Sequence, residues 1–128
     1  MPAAPAIVLD LSHALKVAVQ GPLLADASVR QRSSGAVVID LIVGQQVEHH
    51  PEARPLVASL PIDRTSFASS MDAAMSKAAS LQAGTVVVIV GQGLEAGHRH
   101  GQAVFRFLHT TSAVRVVDIP QQEPPHAH

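Results

Sequence analysis

Thr85-Val86-Val87-Val88-Ile89-Val90, followed by Gly91-Gln92-Gly93-Leu94-Glu95-Ala96-Gly97-His98-Arg99-His100-Gly101, is the most informative stretch of the chain. Its first six residues are all β-branched and continuous, the pattern of a strand covered on both faces. The next eleven hold four glycines and read as a glycine-rich loop leaving the strand's carboxyl end. Beyond it, Ala103, Val104, Phe107 and Leu108 recur at helical spacing, so a short helix is expected over Gln102 to His109.

Upstream, Asp63, Thr65 and Ser66 are good N-cap types. Phe67, Met71, Ala74, Met75 and Ala78 then repeat at helical spacing, opposite Ser69, Asp72 and Ser76, and Gly84 follows as a stop. The pattern predicts an amphipathic helix of about five turns with Met71 and Met75 in the core. Leu56 to Ile62 is either a short strand or an edge segment, because Pro61 cannot donate to a ladder. Ala36 to Val43 is nearly all apolar and predicts a central strand. Ser33-Ser34-Gly35 is a turn, and Leu23 to Arg32 has room for one or two helical turns. Leu15 to Gln20 alternates apolar and polar residues, predicting a strand with one wet face that Gly21-Pro22 breaks. Ile7 to Leu11 and Val114 to Ile119 are further short strands, and Gly44 to Pro55 is a polar loop.

The expected fold is α/β: a mixed or mainly parallel sheet of about five strands covered by two or three helices, in a two- or three-layer sandwich. Residues 1–120 form a single domain and 121–128 a disordered, proline-containing tail.

Apolar residues make up 47% of the 128, but only three are Phe and none is Trp or Tyr, so the core must be aliphatic. That composition speaks against base-stacking platforms. Nine Lys and Arg against ten Asp and Glu give a net charge of −1, without the basic excess usual in phosphate-backbone binders. Nucleic acid is therefore not the expected partner. The absence of cysteine excludes disulfides, thiolate metal sites and cysteine nucleophiles, and fits a reducing compartment. No basic segment precedes an apolar one at the N-terminus, and no apolar run is long enough to span a bilayer. A small soluble, cytoplasmic domain with no membrane partner is expected.

Ligands of open α/β sheets bind beyond the carboxyl ends of strands, which directs attention to the loop from Gly91 to Gly101. Gly91, Gln92, Gly93, Gly97, Arg99 and Gly101 are the ligand-binding candidates. Glycines let backbone amides approach an anion, and Arg99 suits phosphate or carboxylate. A small anionic ligand follows from these residue types. His98 and His100 are candidate acid–base groups. Asp40 is a third catalytic candidate, because a carboxylate inside an apolar strand needs a partner or a raised pKa; Asp10 invites the same reading. Eight histidines also raise metal binding, with His49, His50, His98 and His100 as candidate ligands beside Glu48 or Glu95. There is no dinucleotide fingerprint, Walker lysine or G-x-S-x-G elbow, and no motif specifies a cofactor.

Val57-Ala58-Ser59-Leu60-Pro61-Ile62-Asp63-Arg64, the helix after it, and Val86 to Gly93 with Ala96-Gly97-His98 resemble the first half of a crotonase-fold enzyme. That likeness implies an oxyanion-hole amide at Ala96 or Gly97 and an acyl-CoA substrate. It spans about half the chain and lacks the family's second glycine-rich turn and its catalytic carboxylates. The same stretch is similar to an Smr domain, with Val90-Gly91-Gln92-Gly93 at that family's glycine–lysine–glycine loop. Gln92 replaces the lysine, and Leu60-Pro61-Ile62-Asp63-Arg64 replaces its L-D-x-H-G motif. Strand order and the ending from Phe107-Leu108-His109 to Ile119 resemble a STAS domain without its serine-rich phosphorylation motif. The leading expectation is a non-catalytic binding or regulatory domain that works through a protein partner or as a homo-oligomer, contacting it by the Gly91–Gly101 loop. The alternatives are a truncated crotonase-type or Smr-like enzyme and a histidine-based metal binder, so catalysis is left open.

Overall fold

A computed structural model of the chain describes residues 16–44 and 54–118. Its elements in chain order are β1 (Lys16–Pro22), β2 (Ser28–Gln31), β3 (Val37–Val43), β4 (Leu56–Ile62), α1 (Ser70–Ala79), β5 (Val86–Arg99) and β6 (Gln102–Arg115). A short 3-10 turn, Val116–Asp118, follows. The expected sandwich is overturned. Among the described residues the strands form one six-stranded mixed sheet in the order β1-β5-β6-β4-β3-β2, with one α-helix instead of two or three. Every neighbouring pair is antiparallel except β4 and β6, which run parallel through Leu56↔Phe105 and Val57↔Arg106.

The two outer members of that order, β1 and β2, are consecutive in the chain, and the residues between them join the sheet's two ends. Leu23 N–H donates to Thr85 O, and Gly84 N–H to Leu23 O, extending the β1–β5 ladder. Leu24 N–H donates to Ile42 O, and Gly44 N–H to Pro22 O, while Leu23 bridges Val43. The segment around Pro22–Leu24 is thus bonded to β5 on one side and to β3 on the other. β1 and β2 are two arms of one bent strand, and the sheet closes into a barrel. Gly21-Pro22 therefore does not break β1; it turns the strand through the corner. The helical turns expected over Leu23 to Arg32 are absent because that segment completes two ladders.

Closure explains the core. Along β3, Val37, Ile39, Leu41 and Val43 point inward, as do Leu56, Ala58 and Leu60 of β4 and Val87 and Ile89 of β5. Leu23 at the corner and Leu81 after the helix complete this aliphatic interior. β3 is a central strand as expected, but it is antiparallel to both neighbours. β4 tolerates Pro61 because it pairs with β6 only at Leu56 and Val57, so beyond those residues one edge needs no donor.

The helix is shorter than its pattern. Ser69 is the N-cap, accepting from Asp72 N–H at 3.1 Å, and the helix ends at Ala79 with Ser80 as C-cap. Ala74 and Ala78 pack against the barrel core. Met71 and Met75 do not: they are 37% and 57% exposed, and Phe67 is 99% exposed. A barrel mouth lined by small and branched side chains is closed by alanines, and the longer apolar residues remain outside.

The largest departure concerns the glycine-rich stretch. It is strand throughout, since β5 runs to Arg99 and turns back at His100-Gly101 into β6. The expected helix from Gln102 to His109 is part of β6. Of the expected final strand Val114 to Ile119, only Val114 and Arg115 are strand, as the end of β6, while Val116–Asp118 is the 3-10 turn and Ile119 lies outside the described residues. His100 (φ 50°) and Gly101 (φ 78°) give two successive left-handed residues, the requirement of a tight I′-like hairpin turn. Gly91 lies at a shift in the β5–β6 register and leaves room for the Phe107 ring, with which a Cβ there would collide. Ile7 to Leu11, most of the Gly44–Pro55 loop and the tail 121–128 lie outside the described residues. Gly91→Ala is expected to cost about 2 kcal/mol by overpacking. The melting midpoint followed by circular dichroism should fall by roughly 10 °C; an unchanged midpoint would contradict the packing role.

Candidate ligand groove

The outer wall of the barrel carries the polar counterparts of the inward residues. Arg30 on β2, Asp40 on β3 and Ser59 on β4 lie across three neighbouring strands, with Asp40 directly paired to Ser59. Arg30 Nε donates to Asp40 Oδ2 at 2.7 Å and Nη2 to Oδ1 at 3.0 Å, a bidentate pair. Ser59 Oγ–H donates to Asp40 Oδ1 at 2.6 Å. Partial burial pushes the Asp40 carboxyl up, but hydrogen bonds from Arg30 and Ser59 and the charges of Arg30 and Arg99 outweigh it, and the net shift is downward. Asp40 is ionised and satisfied, which answers the question its place in an apolar strand raised.

The β5–β6 hairpin adds the second side. Arg99 and Arg106 come from this hairpin, and with Arg30, Arg32, Asp40 and Ser59 they line a groove of about 380 Å³. Val57, Phe107 and Leu108 supply its apolar surface. Arg106 Nη2 donates to His98 O at 3.3 Å, while its buried Nε has no acceptor among the described residues. An unmet buried donor costs about 1–3 kcal/mol. Gly97 is what admits this guanidinium, because a Cβ there would stand 3.2 Å from Arg106 Nε.

Of the residues singled out in the sequence, Asp40 and Arg99 meet in the groove. Gly97 flanks Arg106, and Gly101 forms the turn. His98 contributes its carbonyl, with an exposed side chain, and His100 sits at the hairpin tip. Gly91 and Gly93 face Phe107 and Leu108, and Gln92 pairs with Lys16 and His109 in the ladder. No loop amides converge on an anion here, since Gly91 to Arg99 are strand. No three His, Asp or Glu of the described residues form a metal-binding group. His49, His50, Glu48 and Asp10 lie outside the described residues. Arg30, Arg32, Ser59 and Arg106 were missed. Arg30 and Arg32, two apart beside the Ser33-Ser34-Gly35 turn, carried the only sequence signal of a shared strand face.

No protein-family model matches the chain, and no curated protein matches it. The crotonase, Smr and STAS resemblances all rest on a strand–helix–strand unit. Here β4 and β5 are separated by β6 and run in opposite senses, so that unit is not a parallel crossover. Strand β6, not a helix, follows β5, and Ala96-Gly97 is extended rather than an oxyanion-hole turn.

Asp40's lowered folded pKa sets the sign of a pH effect. Its stabilisation is fully present above the unfolded carboxyl value of about 3.9 and is lost as pH falls through the lower folded value. The melting midpoint of Asp40→Asn should lie below wild type by a constant margin from neutral pH down to about pH 5, a margin that narrows below about pH 4. A margin independent of pH would refute the ion-pair account.

Proposed function

We propose that this is a non-catalytic binding domain whose groove takes the phosphodiester backbone of single-stranded nucleic acid. The observation that carries this is four arginines around one open groove with a single carboxylate, itself held by Arg30. The net charge of −1 is an average that hides this.

The path of the chain supports the same reading. Counting bent β1–β2 as one, five strands close a barrel in which the first pairs with the second and fourth, and the third runs parallel to the fifth. This is the Greek-key path of the OB-fold, which binds oligonucleotides and oligosaccharides on the face of its second and third strands and on the loops joining strands one to two and four to five. The groove occupies that face, with Arg32 entering the first loop and Arg99 beside the second. The fold likeness is an analogy; the arginines are the chemical warrant. Binding without catalysis fits the Ser59–Asp40 pair. Its proton is donated to a carboxylate of lowered pKa, which is a poor base at neutral pH.

Among the described residues no helix is long and apolar enough to cross a membrane, and a cytoplasmic setting is part of this proposal. Fluorescence anisotropy with labelled oligothymidylate and oligouridylate tests it. Wild type should bind at about 50 mM salt and weaken steeply by about 200 mM. Arg99→Ala with Arg106→Ala should flatten the logarithmic salt slope by roughly 1.4, two single-strand phosphate contacts at about 0.7 each. No binding at low salt, or an unchanged slope, would sink the proposal.

A second reading, a protein partner or a second copy, is favoured by the exposure of Phe67 just before α1 and of Met71 and Met75 on it. Sedimentation of wild type and of Phe67→Ser with Met75→Gln separates it. Self-association lost in the double variant would support that reading, and a wild type monomeric at all concentrations would remove the second copy.

A further inference from the structure

We propose that Asp40 is the positioning residue of the groove: holding one edge of the Arg30 guanidinium, it aims the other edge at a ligand phosphodiester, so that the ligand is held by its backbone and not by its bases. This rests on reading the groove as a single-stranded nucleic-acid site.

A guanidinium has five N–H donors in a rigid plane. Arg30 spends Nε–H and one Nη2–H on Asp40, at 2.7 and 3.0 Å, and Nη2 also donates weakly to Ser59 Oγ at 3.4 Å. Nη1 has no acceptor among the described residues, and the side chain is 51% exposed. The pinned edge thus leaves the Nη1 donors uncommitted, and the Nη1–Nη2 edge is contested only by the long 3.4 Å contact to Ser59 Oγ, which a phosphodiester's two free oxygens can displace. Asp40 is itself held. It stands in mid-strand, opposite Ser28 and Ser59, and receives the Ser59 hydroxyl at 2.6 Å. A donor fixed through strand residues is placed more accurately than one on a free side chain.

Coulomb's law and positioning disagree about this carboxylate. A negative charge beside Arg32, Arg99 and Arg106 weakens attraction for a polyanion, so its removal should tighten binding. If Asp40 works by fixing Arg30, its removal weakens binding although the groove becomes more positive. The groove also offers no ring for base stacking: Phe107 is only 7% exposed, and Phe105 lies under Arg54 at 5.6 Å. Val57 and Leu108 complete the surface, and every long donor is an arginine.

Anisotropy at about 50 mM salt with labelled oligothymidylate and with an abasic strand of equal length reads both parts. Asp40→Asn and Arg30→Lys, the latter with its charge retained, are each expected to bind roughly tenfold more weakly than wild type. Asp40→Asn should keep the wild-type salt slope, and the abasic strand should bind wild type within about twofold of oligothymidylate. Tighter or equal binding by Asp40→Asn overturns the positioning role. A large loss with the abasic strand overturns backbone recognition. Wild type that binds neither strand fails the groove reading itself, a distinguishable result. Melting curves identify any variant that does not fold, and Arg30→Lys and Ser59→Ala then carry the test, with Ser59→Ala expected to weaken binding by a smaller factor.

Discussion

The corner at Gly21–Leu24 is the constraint on which the rest of the molecule depends. A short aliphatic chain without tryptophan or tyrosine has few ways to bury a strand on one face and expose the other. Closing the sheet on itself removes both raw edges and encloses one interior. The closure needs backbone donors and acceptors directed both ways from a single bend, and Pro22, Leu23 and Leu24 supply them. It also needs close backbone approach, since a Cβ on Gly21 would collide with the carbonyl of Gly44. Pro22 fits because its ring fixes φ while its carbonyl still accepts from Gly44. Once this corner is made, inward positions of every strand are fixed by parity, and so is the outer wall.

Much of the fold was legible one element at a time. The apolar run of β3, the alternation of β1, the turn at Ser33-Ser34-Gly35 and the existence of a helix before β5 all followed from period and turn chemistry. What misled was glycine. Across the end of β5 and the turn after it, four glycines within eleven residues look like a loop, yet Gly91 and Gly93 accommodate packing and register, Gly97 admits an arginine, and only Gly101 turns the chain. A hairpin written His-Gly lacks the Asn or Asp that announces an I′ turn. With the turn unrecognised, Ala103, Val104, Phe107 and Leu108 could be fitted to a helix, although all four lie in strand β6. Closure itself leaves no local mark, because a bend joining two ladders and a loop between elements have similar composition.

The candidate site was legible by half. Asp40 drew attention as a charge in an apolar run, and Arg99 as a cation among glycines, but nothing in sequence joins positions fifty-nine residues apart. The barrel does so, by setting the β2–β3–β4 wall beside the β5–β6 hairpin. The chain-wide charge balance was uninformative for a related reason: it sums residues that the fold separates. A groove sees only the charges that line it, within about a Debye length of 8–10 Å.

The groove also joins two parts of unequal support. Its wall is three strands deep in the barrel, with core residues under each. The far end of the hairpin, beyond the β4–β6 contact at Leu56 and Val57, is two-stranded, and two-stranded ribbons are marginal on their own. Arg99 belongs to that arm, Arg106 to its root at the contact with β4, and Arg30 and Asp40 to the wall. An anion held between them would bridge the arm to the wall, and its binding energy would include the ordering of the hairpin. The unmet Nε of Arg106, pressed against Gly97, marks the seam between the two parts. Ligand affinity in such a site depends on how well the empty groove is already shaped, and the Arg30–Asp40–Ser59 cluster shapes the half that the barrel already holds rigid.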